Sequence, residues 1–102
     1  MGFVAVAKAA DIPVGKGAYV ETAAATLAVF NLGGGRFRAV SPACPHEDGP
    51  LAEGWVEGDS VVCPWHGYDF DLGTGRCNVD PGLAICVYAT RVVDGTVEVE
   101  IP

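Results

Sequence analysis

The sequence predicts an all-β protein with one irregular insertion, running from about Ser41 to Thr74. Three observations carry that prediction. No stretch shows the i, i+3, i+4 apolar spacing of an amphipathic helix. The 102 residues include 14 Gly and 7 Pro, a usage that suits short strands joined by tight turns. The last stretch, Thr96-Val97-Glu98-Val99-Glu100-Ile101, alternates cleanly, as a half-buried strand does.

Residues 3–8 alternate weakly and are rich in Val, which marks a first strand, and Asp11-Ile12-Pro13-Val14-Gly15-Lys16-Gly17 is a turn-rich connection. A second strand covers 18–22. The plainest hairpin joins 26–32 to 36–40 through Gly33-Gly34-Gly35, whose glycines supply the positive φ angles a tight connection needs. Those glycines do not make a phosphate loop, because no Gly-Lys-Ser/Thr follows and no helix opens there. Beyond the insertion, Gly73-Thr74-Gly75 marks a turn and Asn78-Val79-Asp80-Pro81-Gly82 a loop. Residues 84–93 form one long β-rich run, and Asp94-Gly95 is a two-residue hairpin signal leading into the last strand.

Length and composition set limits on function. One domain, 1–102, of ordinary size is expected, able to bury a single modest core. Half of the residues are apolar, which excludes a disordered chain. Six basic residues against 13 acidic give a net charge of −7, which argues against nucleic acid and permits steering towards a basic partner face. The opening residues lack the features of a signal peptide, Val6 replaces the hydroxyl a myristoylation signal needs, and no run is long enough to span a membrane. The expected place is the cytoplasm, where cysteines more often hold metal than form disulfides.

The chemistry concentrates between Cys44 and His66. Cys44-Pro45-His46 and Cys63-Pro64-Trp65-His66 stand 16 residues apart and contain both histidines and half of the four cysteines. In an extended segment residues i and i+2 point the same way, so Cys44 and His46 can face one site. Pro64 suits a β-turn that brings Cys63 and His66 within about 7 Å, and Gly67 lets the backbone turn away. Two thiolates and two imidazoles also make a Cys2His2 zinc site. In structural zinc sites like ligands usually come together, often across a helix. Here each loop offers one Cys and one His, an interleaving that a binuclear cluster would use directly.

On these residues the chain resembles the Rieske-type [2Fe-2S] proteins. Gly49-Pro50-Leu51-x-x-Gly54, Gly67-x-x-Phe70-Asp71-x-x-Thr74-Gly75 and the loop with Pro81 and Leu83 extend the likeness, as does Asp11-Ile12-Pro13. The resemblance implies an antiparallel β-sandwich base with a smaller cluster-binding subdomain, about 41–75, inserted in it. It implies one [2Fe-2S] cluster per chain, held by Cys44, His46, Cys63 and His66. Such a cluster is neutral when oxidised and singly negative when reduced, which places the family between about −150 and +300 mV.

High-potential relatives tie the two loops with a disulfide and add Ser and Tyr hydroxyls near the cluster. The corresponding positions are Gly49 and Trp65 for the clasp, and Tyr68 and Phe70 for the hydroxyls, so the low end of the range is expected. Trp65 is expected to pack over the cluster or to form part of a docking surface, with packing favoured. Cys77 and Cys86 read as buried thiols, a disulfide between them being the less favoured alternative. Nothing looks catalytic in its own right. The resemblance implies a ferredoxin passing single electrons from a reductase to a terminal enzyme, such as a ring-hydroxylating oxygenase. The small subunit of an assimilatory nitrite reductase is the alternative, and a zinc-stabilised binding module a third reading. Protein redox partners are expected, with neither nucleic acid nor membrane.

Overall fold

The computed structural model describes residues 2–23, 25–45, 49–65 and 67–101. Twelve strands occur among them: β1 (Gly2–Lys8), β2 (Gly17–Glu21), β3 (Thr26–Gly33), β4 (Arg36–Val40), β5 (Ala43–Cys44), β6 (Gly49–Pro50), β7 (Trp55–Glu57), β8 (Ser60–Val62), β9 (Asp69–Asp71), β10 (Val87–Tyr88), β11 (Thr90–Val93) and β12 (Thr96–Ile101). Two 3-10 turns, Ala9–Asp11 and Leu51–Glu53, are the helical elements of the described residues. All strand pairs are antiparallel. One sheet has the order β1-β12-β11, a second β10-β4-β3-β2, a third β7-β8-β9, and β5 pairs with β6.

The layers meet on β3. Its Leu27-Ala28-Val29-Phe30 run is buried at every position, so both of its faces are covered. Leu27 and Val29 pack with Phe37 and Ala39 against Val97, Val99 and Ile101 of β12, forming the core of the base. Ala28 and Phe30 belong to a second core with Val40, Leu51, Val61, Phe70 and Leu72, which lies under the insertion. Burying a phenylalanine side chain of this kind contributes about 1.5–3 kcal/mol. Gly17 pairs with Phe30 across the sheet, and a β-carbon there would run into the ring. Asn31, the one polar residue buried among those described, pins the connection before β2: its Nδ2 donates to the Ile12 carbonyl (2.7 Å) and its Oδ1 accepts the Gly33 N–H (2.8 Å). The Val56 N–H then donates to the Gly15 carbonyl (3.0 Å), which fastens that connection to β7.

The two expected hairpins are present. Asp94 and Gly95 both have positive φ (51° and 76°), the form that matches strand twist in a two-residue connection. Two expectations need correction. The run 84–93 is not one strand: Tyr88 pairs with Ala39 in one sheet, whereas Thr90 pairs with Val99 in the other. The chain changes sheets at Ala89, whose carbonyl accepts the Glu100 N–H (2.9 Å). No turn residue is needed for that step, so the sequence carries no mark of it. Nor is the 41–74 stretch irregular, because it contains β5 to β9. Strands of two or three residues are too short to leave a legible alternation.

Because Phe30 anchors the second core, Phe30→Ala should lower the unfolding free energy by about 3–5 kcal/mol in urea titrations. Val4→Ala, at a position 42 % exposed, should stay within about 0.5 kcal/mol. Comparable losses in the two variants would contradict the central place given to β3.

Candidate metal centre

Cys44 is the last residue of β5 and stands opposite Gly49 on β6. The Leu51 N–H donates to the Pro42 carbonyl (3.2 Å), so this narrow ladder clamps the foot of a loop from Cys44 to Gly49. Cys63 directly follows β8, where Val62 pairs with Asp69 of β9. Its N–H donates to the Tyr68 carbonyl (2.7 Å), closing a second loop from Cys63 to Tyr68. Each loop has a cysteine at its first position and a backbone rung between residues i and i+5. Gly67 has φ +71°, the left-handed turn expected after the second ligand pair. His46 and His66, with Glu47 and Asp48, lie outside the described residues.

Both cysteines have no solvent exposure, and they share the second core with Leu51, Phe70, Leu72 and Ile85. None of the four cysteines is in a disulfide. The loops also touch each other. A β-carbon placed on Gly49 would lie 2.8 Å from the Cys63 sulfur and 3.3 Å from the Trp65 β-carbon. Gly49 and Trp65, the two positions at which a clasp is missing, are therefore neighbours across the loops. A buried cysteine in an apolar core is either an inert thiol or a metal ligand. Two of them, each opening a clamped loop and both buried in one core, fit a centre that needs two thiolates.

A third loop leans on this core. The Cys77 N–H donates to the Leu83 carbonyl (3.1 Å), the Asp80 N–H donates to the Cys77 sulfur (3.3 Å), and Leu83 packs on the core while Pro81 is exposed. Cys77 is buried as expected, but Cys86 is exposed. The correction follows from alternation: Ile85 turns inward, so Cys86 turns outward, its N–H donating to the Ser41 hydroxyl (2.7 Å). Trp65 is 47 % exposed, so its packing role is shared with an open face.

Asn78 was not legible as a structural tie. Its Nδ2 donates to the Asp69 carboxylate (2.9 Å) and lies 3.2 Å from the Ser60 hydroxyl, joining the third loop to β8 and β9. Only its place in a turn-rich loop could have hinted at this. Asp71, in the stretch after the second ligand box, accepts the N–H groups of Thr74 (2.9 Å) and Gly73 (2.7 Å) on Oδ1. These two bonds, that of Thr74 foremost, hold its pKa below the usual carboxylate value.

In this all-β fold, two clamped loops each open on a cysteine buried in one core, a setting in which a metal centre fits. The family is shown by comparison: the Rieske [2Fe-2S] domain model matches residues 2–90, and the chain belongs to that family. It is 33 % identical over 95 residues to the 3-phenylpropionate/cinnamic acid dioxygenase ferredoxin subunit of Escherichia coli K12, covering 91 % of this chain and 88 % of the relative. Among solved structures, a chain in the complex of reduced oxygenase and oxidised ferredoxin of carbazole 1,9a-dioxygenase is 33 % identical, with a TM-score of 0.82 over 95 % of this chain and 100 % of that one. A Mycobacterium tuberculosis protein provisionally assigned as an NADH-dependent nitrite reductase small subunit is 25 % identical, with a TM-score of 0.90 over 99 % and 96 % of the two chains. Among the described residues no helix is long and apolar enough to cross a membrane.

The Asp71 turn has a pH signature. With a folded pKa below the unfolded value of about 3.9, its contribution is complete above that pH and is lost as pH falls through the folded value. The stability gap between wild type and Asp71→Ala, measured by urea unfolding, should therefore be constant near neutrality and shrink below about pH 4. A gap that widens on acidification would contradict the assignment.

Proposed function

We propose that this chain is a Rieske ferredoxin, carrying single electrons from a reductase to a terminal oxygenase of the ring-hydroxylating type. The observation that carries the reading is that Cys44 and Cys63, each opening a clamped loop, are both fully buried in one core. The dioxygenase ferredoxin relatives support the choice of partner system. The chain forms one domain, 1–102, with 41–75 as its cluster-binding part.

Cys44, His46, Cys63 and His66 hold one [2Fe-2S] cluster. When bound, that cluster supplies a site that takes up and gives back one electron. Cys44 and Cys63 would hold it from an apolar core shared with Leu51, Phe70 and Leu72. His46 and His66 complete the set as neutral donors. Phe70, buried at the position where high-potential relatives have a hydroxyl, has no donor to offer a cluster sulfur, which keeps the potential low. The net charge of −7 steers the carrier towards basic faces on its protein partners and away from nucleic acid and anionic membrane surfaces. The chain has no catalytic role of its own, and with four cysteines outside any disulfide it suits the cytoplasm. The fit to the nitrite reductase small subunit supports a second reading, in which the same carrier serves an assimilatory reductase.

Purified protein should contain about two iron atoms and two acid-labile sulfides per chain. Cys44→Ser and Cys63→Ser should each lose most of both. Colourless protein containing zinc and no sulfide would replace this reading with a zinc-stabilised module. Protein-film voltammetry should give a midpoint below zero, and a clearly positive value would overturn the argument from Phe70. Turnover with a reductase and a ring-hydroxylating oxygenase, but not with a nitrite reductase, separates the two partner systems.

A further inference from the structure

Gly49 occupies a singular place between the loops. It stands opposite Cys44 on the rung that clamps the first loop. On its open side the Cys63 sulfur and the Trp65 side chain occupy the space where a β-carbon would project, at 2.8 Å for the sulfur and 3.3 Å for both Cβ and Cδ2 of Trp65. Contacts below about 3.0 Å do not occur for real β-carbons, so any other residue would move something. The sulfur cannot retreat freely, because Cys63 is clamped through its own N–H to Tyr68 and is fully buried. The indole is 47 % exposed and lies against Gly49, which is itself buried.

We propose that Gly49 and Trp65 act together as positioning residues for the Cys63 sulfur: the missing side chain at 49 sets how closely the two loops approach, and the indole fills and seals the space that remains. This rests on the Rieske reading of the site and adds to it a contact that holds the loops without a covalent clasp. The requirement at 49 is one of room, not of backbone conformation. Gly49 is absent from the glycines with positive φ, so alanine fits the backbone there. Gly49→Ala therefore isolates the steric effect. Gly2→Ala is the matched control, since nothing lies within 4 Å of a β-carbon at Gly2 and its φ is not positive.

The test uses the cluster-loaded full chain, read by EPR of the reduced state, by midpoint potential and by the rate of bleaching in air. Gly49→Ala should change the EPR line shape, displace the potential and speed bleaching on the order of tenfold, the scale of an overpacked contact. Gly2→Ala should match wild type. Trp65→Ala should also speed bleaching, and the double variant should depart from the product of the two single effects by more than about twofold, as residues in contact do. A Gly49→Ala protein with wild-type spectrum, potential and bleaching rate would overturn the proposal, and so would strictly multiplicative effects in the double variant. If Gly49→Ala fails to load, the Trp65→Ala protein decides alone: unchanged spectrum and bleaching refute the proposal. Absence of iron and sulfide from the wild-type protein would instead refute the Rieske reading itself.

Discussion

The placement of the two buried cysteines depends on two backbone rungs, Cys44 opposite Gly49 and Cys63 bonded to Tyr68. A metal centre built from loops needs its sulfurs held in place before the metal arrives, since flexible loops would lose conformational entropy on binding. Each rung meets that need locally, by making a cysteine the first residue of a clamped loop. The ladders that carry them, two residues in β5-β6 and three in β8-β9, are too short to be stable alone. Their stability comes from what they stand on.

That support is β3 and its neighbours. β3 is covered on one side by the β1-β12-β11 sheet and on the other by the core that contains both cysteines. A disturbance of Phe30 is therefore felt under the sulfurs, although Phe30 contributes no ligand. The switch of the chain between sheets at Ala89 ties the two layers of the base together, and the bond from Val56 to Gly15 ties the base to the β7-β8-β9 sheet. The two cysteine loops are thus held by apolar contact with the core on β3.

Much of this was legible in the sequence. The interleaved Cys-x-His and Cys-Pro-Trp-His boxes, the Asp94-Gly95 turn and the closing alternation of β12 all carry strong local signals. The structure contains the turn and the closing strand and buries Cys44 and Cys63; His46 and His66 lie outside the described residues. The strands of the insertion were missed because each spans only two or three residues, and their form is imposed by pairing across the fold. The division of residues 84–93 was missed because both halves are equally rich in strand-forming residues. In retrospect the unbroken Leu27-Ala28-Val29-Phe30 run announces a strand buried on both faces. The closeness of Gly49 to the Cys63 sulfur could not have been read, because it arises between residues 14 positions apart whose approach only the tertiary packing decides.

The central claim is that Cys44 and Cys63 share one cluster with two imidazoles. Pulsed EPR of the reduced protein, grown with nitrogen-15 histidine as its only label, tests this most directly. The account predicts two nitrogen-15 hyperfine couplings, with one lost in His46→Ala and one in His66→Ala wherever the variant retains a cluster. A reduced cluster with no histidine nitrogen coupling, as an all-cysteine centre would give, would contradict it.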